Sequence, residues 1–453
     1  MTTLFYALGV LIFAVGILAS IGLHELGHMI PAKKFGGKVT QYFVGFGPTV
    51  WSKQVGETEC GVKAIPLGGY VKIVGMLPPG AAQLADEVTT DAEGNQVVKV
   101  RKSNTGLFTQ LISDARAAEW ETIGPEDSER LFYKMVWWKK VIVMAGGPTV
   151  NILIAFTLFW IVFGTYGQRS IEPDAGRPVI DEVSQCVIPY VDNRTTCTSS
   201  DPISPAAEAG LRPGDVVTTF NGTPIADWDQ LRTLIRGNSD GDAVIGYERD
   251  GRQLTGTANT TVEARPTSQT DQTLRQVGFL GVTPTTHTQI QTGGPLYTLD
   301  QMGTMTKQSV QALATLPVKV WGVAEAIAGV KDRAVDSPVS IVGGSRMAGE
   351  TVSDAGFPLA EKAVFLMLLL AGFNLFIGLF NFIPLLPLDG GHIAGALWEA
   401  IRRGFARLRG RPDPGYVDVA RLLPIAYCVA GVLLVMGVVL IVGDLVVPIH
   451  IES

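Results

Sequence analysis

Four stretches of this 453-residue chain are apolar over the length a bilayer demands: Leu4 to Leu23, Val141 to Tyr166, Ala363 to Phe382 and Leu422 to Val447. A helix needs roughly 20 predominantly apolar residues to cross the hydrocarbon layer. Only helices or closed barrels satisfy their own backbone polar groups at that depth. The runs therefore predict a polytopic α-helical membrane protein with four transmembrane helices, embedded in a lipid bilayer. Composition agrees, with 47% hydrophobic and only 17% charged residues. A formal net charge of −6, with no basic block interleaved with aromatics away from the membrane flanks, argues against a nucleic-acid binder. The first run lacks a basic start and a small-residue cleavage site, so it is expected to remain as a span instead of being removed as a signal peptide.

Basic residues set the expected orientation. Lys33, Lys34, Lys38, Lys134, Lys139 and Lys140 flank the linker after the first run, and Arg402, Arg403, Arg407, Arg409 and Arg411 follow the third. Both linkers are expected in the cytoplasm. The acidic segment between the second and third runs is then outside. The resulting layout is a first span over 1–30, a cytoplasmic loop over 31–140, a second span over 141–167, an outer segment, a third span over 361–401, a basic loop over 402–421 and a fourth span over 422–447.

The end of the first run carries His24-Glu25-Leu26-Gly27-His28. On a helix the i, i+4 spacing puts both imidazoles on one face, where they can converge on a metal ion such as Zn2+. Glu25 can reach a water at the metal without being a ligand, as a general base requires. Ionisable residues at membrane depth are expensive, which favours a functional reading. The third run breaks at Asn381-Phe-Ile-Pro384-Leu-Leu-Pro387-Leu-Asp389-Gly390-Gly391-His392. Such a break is tolerated only where the freed backbone is buried in protein or lines a wet cavity. Asp389 is a candidate third ligand, His392 a rival one, and Asp389 alternatively caps a helix resuming at Ile393.

Between the first two runs, residues 41–75 alternate and carry turn glycines, which suggests short hairpins able to offer an edge to an extended peptide. Residues 77–129 read as a polar, acidic insertion, followed by a helix-like approach from Arg130 to Trp138. Gly146, Gly147 and Pro148 near the start of the second run permit close helix contact, and Asn151 wants a polar partner. In the outer segment, the run from Ser204 to Gly222 (SPAAEAGLRPGDVVTTFNG), then a helix from Asp227 to Ile235 and a strand from Ala243 to Arg249, reads like part of a PDZ domain spanning 178–284. Cys186 and Cys197 lie close in this segment, and their spacing leaves a disulfide and two free thiols equally open. Residues 295–360 suggest an amphipathic helix on the outer membrane face, followed by a structured loop from Ser337 to Gly344.

Taken together, the chain resembles the site-2 protease family of intramembrane zinc metalloproteases, in particular bacterial members with an extracytoplasmic PDZ domain. The resemblance rests on HELGH at 24–28, GGYVK at 68–72, GPTVN at 147–151, the PDZ-like run at 206–222, and NFIP through LDGG at 381–391. It implies a multi-pass protein of the bacterial cytoplasmic membrane that cleaves single-pass substrates of the anti-sigma-factor type after their ectodomains are trimmed. It assigns one catalytic Zn2+ to His24, His28 and Asp389, the general acid/base role to Glu25, and substrate holding to Asn381 and to Gly68, Gly69 and Tyr70. The PDZ groove is expected to take a peptide or a C-terminus. The alternative is a PDZ-bearing membrane adaptor whose metal site is not catalytic.

Overall fold

The computed structural model describes residues 2–78, 124–173, 176–190, 196–238, 241–266, 274–334 and 336–449, with short pieces between 89 and 116. Most of the acidic insertion expected at 77–129 lies outside the described residues. The chain divides into two compact units. One comprises Met1–Tyr166 and Gly293–Ser453, and the other Gly167–Thr292.

The first unit opens with helix α1 (Thr2–Lys34), then a hairpin of two long strands, β1 (Val39–Val55) and β2 (Thr58–Ile73). The expected short hairpins are one bent hairpin. Gln41 pairs with both Lys72 and Glu59, and Val44 with both Gly69 and Val62, so the two strands fold back into a single sheet four segments wide. Gly45, at φ 94°, supplies a bend that residues with a Cβ rarely adopt. Tyr42 pins the sheet to α1 by donating from its hydroxyl to the Gly22 carbonyl at 2.9 Å. Phe46, Val50, Trp51, Val62 and Ile65 remain exposed on it.

Helix α2 (Trp137–Thr165) follows. The expected helical approach from Arg130 is only a single 3-10 turn at Phe132–Lys134 before α2 begins. In the second unit β3 (Gln168–Pro173) leads to β4 (Ile180–Val183), α3 (Pro205–Glu208), β5 (Val216–Phe220), β6 (Thr223–Pro224), α4 (Trp228–Gly237), β7 (Gly241–Arg249), β8 (Arg252–Pro266), β9 (Leu274–Phe279), β10 (Val282–Pro284) and β11 (Thr286–Gln291). Five strands form one sheet in the order β9-β8-β7-β5-β6, while β10 pairs with β4 and β11 with β3. Ile180, Val217, Phe220, Leu231, Ile245 and Leu280 fill its core. Asn221 and Gly222 both take positive φ in the turn joining β5 to β6, as a tight hairpin requires. Asp227 caps α4, accepting from the Gln230 amide at 2.8 Å. Cys186 and Cys197 are joined by a disulfide.

The first unit resumes with α5 (Pro295–Ile327), α6 (Ile341–Ser353), α7 (Leu359–Asn381), α8 (Asp389–Leu408) and α9 (Leu423–Val446). The stretch expected as a loop from Ser337 to Gly344 is a loop only as far as Ser340; from Ile341 it is the start of α6, capped by Ser340, whose hydroxyl accepts from the Val342 amide at 3.1 Å. Asp444 of α9 ties this start down: it accepts from the Ser340 amide (2.7 Å) and pairs with Arg333 (2.7 Å), both charges buried. Among the described residues five helices, not four, are long and apolar enough to cross a membrane: α1, α2, α5, α7, and α9 with its preceding turn. The additional one, α5, is the helix that the sequence lays on the outer face.

Small residues bring these helices together, as is usual where lipid offers no competing hydrophobic drive. A Cβ on Gly27 of α1 would lie 2.5 Å from the Gly146 carbonyl oxygen of α2, and one on Gly9 would strike Ala348 of α6. Asn374 of α7 donates to Ser20 of α1 at 3.0 Å. Outward, Leu434 and Val435 of α9 are 70% and 63% exposed, a surface that water would not tolerate in quantity. Gly146→Ala is expected to force α1 and α2 apart at a cost of about 1–3 kcal/mol. Gly303→Ala, which has open space around it, should cost nothing. Thermal unfolding in detergent checks the pair, and equal midpoints would refute the close-contact argument.

Candidate metal centre

Helix α1 places His24 and His28 one turn apart, with ring centroids 4.9 Å from each other. The break between α7 and α8 brings Asp389 against them. Its Oδ2 lies 3.4 Å from each Nε2, and the two Nε2 atoms are 3.3 Å apart. The three atoms thus form a nearly equilateral triangle. A tetrahedral zinc ion with bonds of about 2.0–2.1 Å has ligand–ligand edges of about 3.3–3.4 Å, so the spacing fits such an ion without rearrangement.

The tautomers fit as well. His28 Nδ1 lies 2.8 Å from the Val143 carbonyl oxygen, which can only accept, so Nδ1 carries the proton and Nε2 keeps its lone pair. His24 Nδ1 is turned in the same sense toward Asn151 Oδ1 at 3.2 Å. Both partners stand on α2, and such outer hydrogen bonds orient metal-binding imidazoles. Asn151 is thereby given the partner its burial requires. Two features were missed by the sequence reading. The Val143 carbonyl leaves no side-chain signal. Gly147 was read as packing, yet a Cβ there would collide with both imidazoles.

Helix α8 begins at Asp389 itself, with Leu388 at the N-cap position. Asp389 is therefore not the cap of a helix starting at Ile393, and its carboxylate faces the imidazoles. Two glycines behind it let the chain turn back on itself, since a Cβ on Gly391 would lie 2.6 Å from the Leu386 amide nitrogen. Glu399, ten residues further on, is buried in an ion pair with Lys140 of α2 at 2.8 Å, which fixes α8 against the helix that orients the histidines.

One cavity of about 520 Å³ is lined by His24, Glu25, His28 and Asp389, together with Gly68, Gly69, Tyr70, Asn381 and His392. Every sequence-predicted residue of the membrane site faces this space. Cys186 and Cys197 belong to the other unit. His392 lines the cavity but is not among the three donors that cluster within 4.8 Å. Glu25 sits under the sheet: a Cβ on Gly69 would lie 3.0 Å from its Cγ. Among the described residues, 69–73 pair with 39–44 on one side only. Tyr70 is stacked on Phe43 and Phe46, with centroids 5.7 and 6.2 Å away.

Comparison with known proteins agrees with this geometry. The sequence model of Peptidase family M50 matches residues 12–420. Zinc metalloprotease Rip1 of Mycobacterium tuberculosis is 34% identical, covering 98% of this chain and 99% of its own. Zinc metalloprotease Rip1 of Mycolicibacterium smegmatis is 33% identical over the same shares. A putative zinc metalloprotease of Mesorhizobium japonicum, mll0638, is 25% identical over 84% of this chain and 86% of its own. The chain belongs to peptidase family M50, the site-2 protease family of zinc metalloproteases.

Proposed function

We propose that this protein cleaves the transmembrane segments of membrane-anchored regulators, with His24, His28 and Asp389 holding one zinc ion and Glu25 acting as general acid/base. The observation that carries the reading is the donor triangle of 3.3–3.4 Å edges opening on a cavity that Glu25 also lines. Zinc held there supplies Lewis acidity, polarising a scissile carbonyl and making a water acidic enough to ionise near neutral pH. Glu25 accepts the proton of the attacking water and returns it to the leaving amine. A helical substrate hides its carbonyls in its own hydrogen bonds, so it must unwind before attack. The free side of residues 69–73 offers main-chain partners to the unwound segment, and Asn381 offers a side-chain amide.

Four spans remain our reading of the topology. Helix α5 starts beside the end of α2, where Tyr297 packs on Phe163 at 5.9 Å, and Val323 near its end packs on Gly443 at the end of α9. With α2 and α9 both read as leaving the cytoplasm, those contacts support a reading in which both ends of α5 lie on the outer side. The active site then lies toward the cytoplasm. The second unit, with its Asn-Gly turn, disulfide and groove beside α4, is read as an extracytoplasmic PDZ domain. Substrates of the anti-sigma-factor type, already trimmed outside, fit this arrangement in a bacterial cytoplasmic membrane.

Glu25→Gln is expected to keep zinc while cleavage of a reporter transmembrane substrate falls by about 10²- to 10⁴-fold; turnover at the parent rate would remove Glu25 from the mechanism. Asp389→Ala should lower the zinc-to-protein ratio by elemental analysis and His392→Ala should not, the reverse pattern exchanging the two residues as ligands. Asn151→Ala should weaken zinc about 10- to 100-fold in competition with a chromophoric chelator. An unchanged affinity there would mean that the His24 hydrogen bond does not orient the ligand.

A further inference from the structure

The second unit holds a cavity of about 300 Å³ between α4 and the chain leaving β9. Trp228 and Ile235 of α4 form one wall, and Phe279, Leu280 and Val282 the other. Three arginines also line it, Arg232 and Arg236 from α4 and Arg265 from the end of β8, and no carboxylate does among the described residues.

Two of these cations are positioned without a carboxylate partner among the described residues. Arg236 donates to the Pro266 carbonyl at 2.8 Å and Arg265 to that of Ile188 at 3.0 Å. Carbonyls fix a guanidinium but do not cancel its charge. The Arg265 guanidinium stacks 4.3 Å over the Phe279 ring, and its Nε is buried with no hydrogen-bond partner among the described residues. Burial pulls Arg265 below the usual arginine pKa, with Glu263 and Tyr190 acting only in the opposite, lesser sense. Among the described residues only Arg232 has a carboxylate in contact, Asp229 at 3.0 Å on the exposed side of the helix.

The shape of the occupant follows from the strands. Among the described residues β10 pairs only with β4, and its Val282 lines the cavity. An extended segment can add along such an edge and send alternate side chains into the groove. Apolar walls beside two guanidiniums that meet no carboxylate among the described residues favour a segment that alternates apolar and acidic residues, because Arg binds carboxylates with two parallel hydrogen bonds.

We propose that this groove selects an extended acidic peptide, its carboxylates meeting Arg236, Arg265 and Arg232. This rests on the reading of the unit as a strand-adding domain and names the class of partner it takes. The test is fluorescence anisotropy on the full-length chain in detergent, with a labelled ten-residue peptide of alternating valine and glutamate against its glutamine counterpart. The glutamate peptide should bind at least about tenfold more tightly. That preference should shrink in Arg236→Gln and Arg265→Gln, persist in Arg252→Gln on the remote β7–β8 turn, and weaken as salt is raised from about 50 to about 500 mM. Should loss of the Ile188 contact disturb folding in Arg265→Gln, Arg232→Gln and the salt series on the unaltered protein read the same charge term. Equal binding of the two peptides would overturn acidic selection while leaving strand addition standing. Binding of neither would overturn both and leave the protease reading, tested by cleavage, untouched.

Discussion

The close approach of α1 and α2 at Gly27, Gly146 and Gly147 is the constraint on which the rest of the centre depends. At Gly27 and Gly146 the two backbones come near enough that a single methyl would collide. One residue further, Gly147 leaves room for both imidazoles. The same approach carries Val143 and Asn151 within hydrogen-bonding reach of the two Nδ1 atoms, three residues before and four after the glycine pair. Helix contact and imidazole orientation are thus one feature seen at two scales. In lipid, where apolar surfaces gain little by meeting each other, close packing and interhelical hydrogen bonds must supply the association.

The third donor reaches the site by the opposite device, a helix that stops. Helix α7 ends at Asn381 and α8 begins at Asp389. Five backbone hydrogen bonds from residues 382 to 391 turn the chain locally instead of continuing the helix, among them Phe382 to Leu379 and Leu388 to Leu385. Their presence explains how irregular backbone survives at this depth. The Lys140–Glu399 pair then couples the direction of α8 to α2. A buried ion pair is weak evidence for net stability, since removing two charges from water costs several kcal/mol each. Its value here is geometric, because Asp389 must sit within a few tenths of an ångström of equal distance from two nitrogens.

Much of this was legible from residue identity. The spacing of His24 and His28 implied a shared face, apolar run lengths located α1, α2, α7 and α9, and the proline and glycine cluster marked the break. Asn151 announced itself as a buried polar group needing a partner. What escaped had no side-chain signature or was decided by long-range context. Val143 acts through its carbonyl. The start of α6 was hidden because Ser340 is followed by Ile-Val-Gly-Gly, a poor helical run that forms because Asp444 satisfies its first amides. The sheet of residues 39–73 was misjudged as separate hairpins because two strands of ordinary composition each pair twice, which local alternation cannot reveal. Helix α5 is apolar enough to span yet carries enough polar residues to lie flat, so composition alone does not decide its place.

An enzyme that cuts inside a bilayer must solve a backbone problem before a chemical one. Unwinding a transmembrane helix frees amide and carbonyl groups, each costing several kcal/mol in hydrocarbon unless paired. A strand edge beside the catalytic group offers replacement bonds without regard to side chains, so it suits substrates that share only an apolar sequence. Residues 69–73 provide such an edge directly above Glu25, and Gly69 lets the strand approach within contact of its carboxylate stem. In the proposed reaction, the position of that edge decides which peptide bond reaches the donor triangle. Selection among membrane proteins must then come from outside the bilayer, because strand pairing reads backbone and lipid-facing segments differ little from one another. A unit whose groove, among the described residues, is lined by three arginines and no acid would have the chemistry to make that choice.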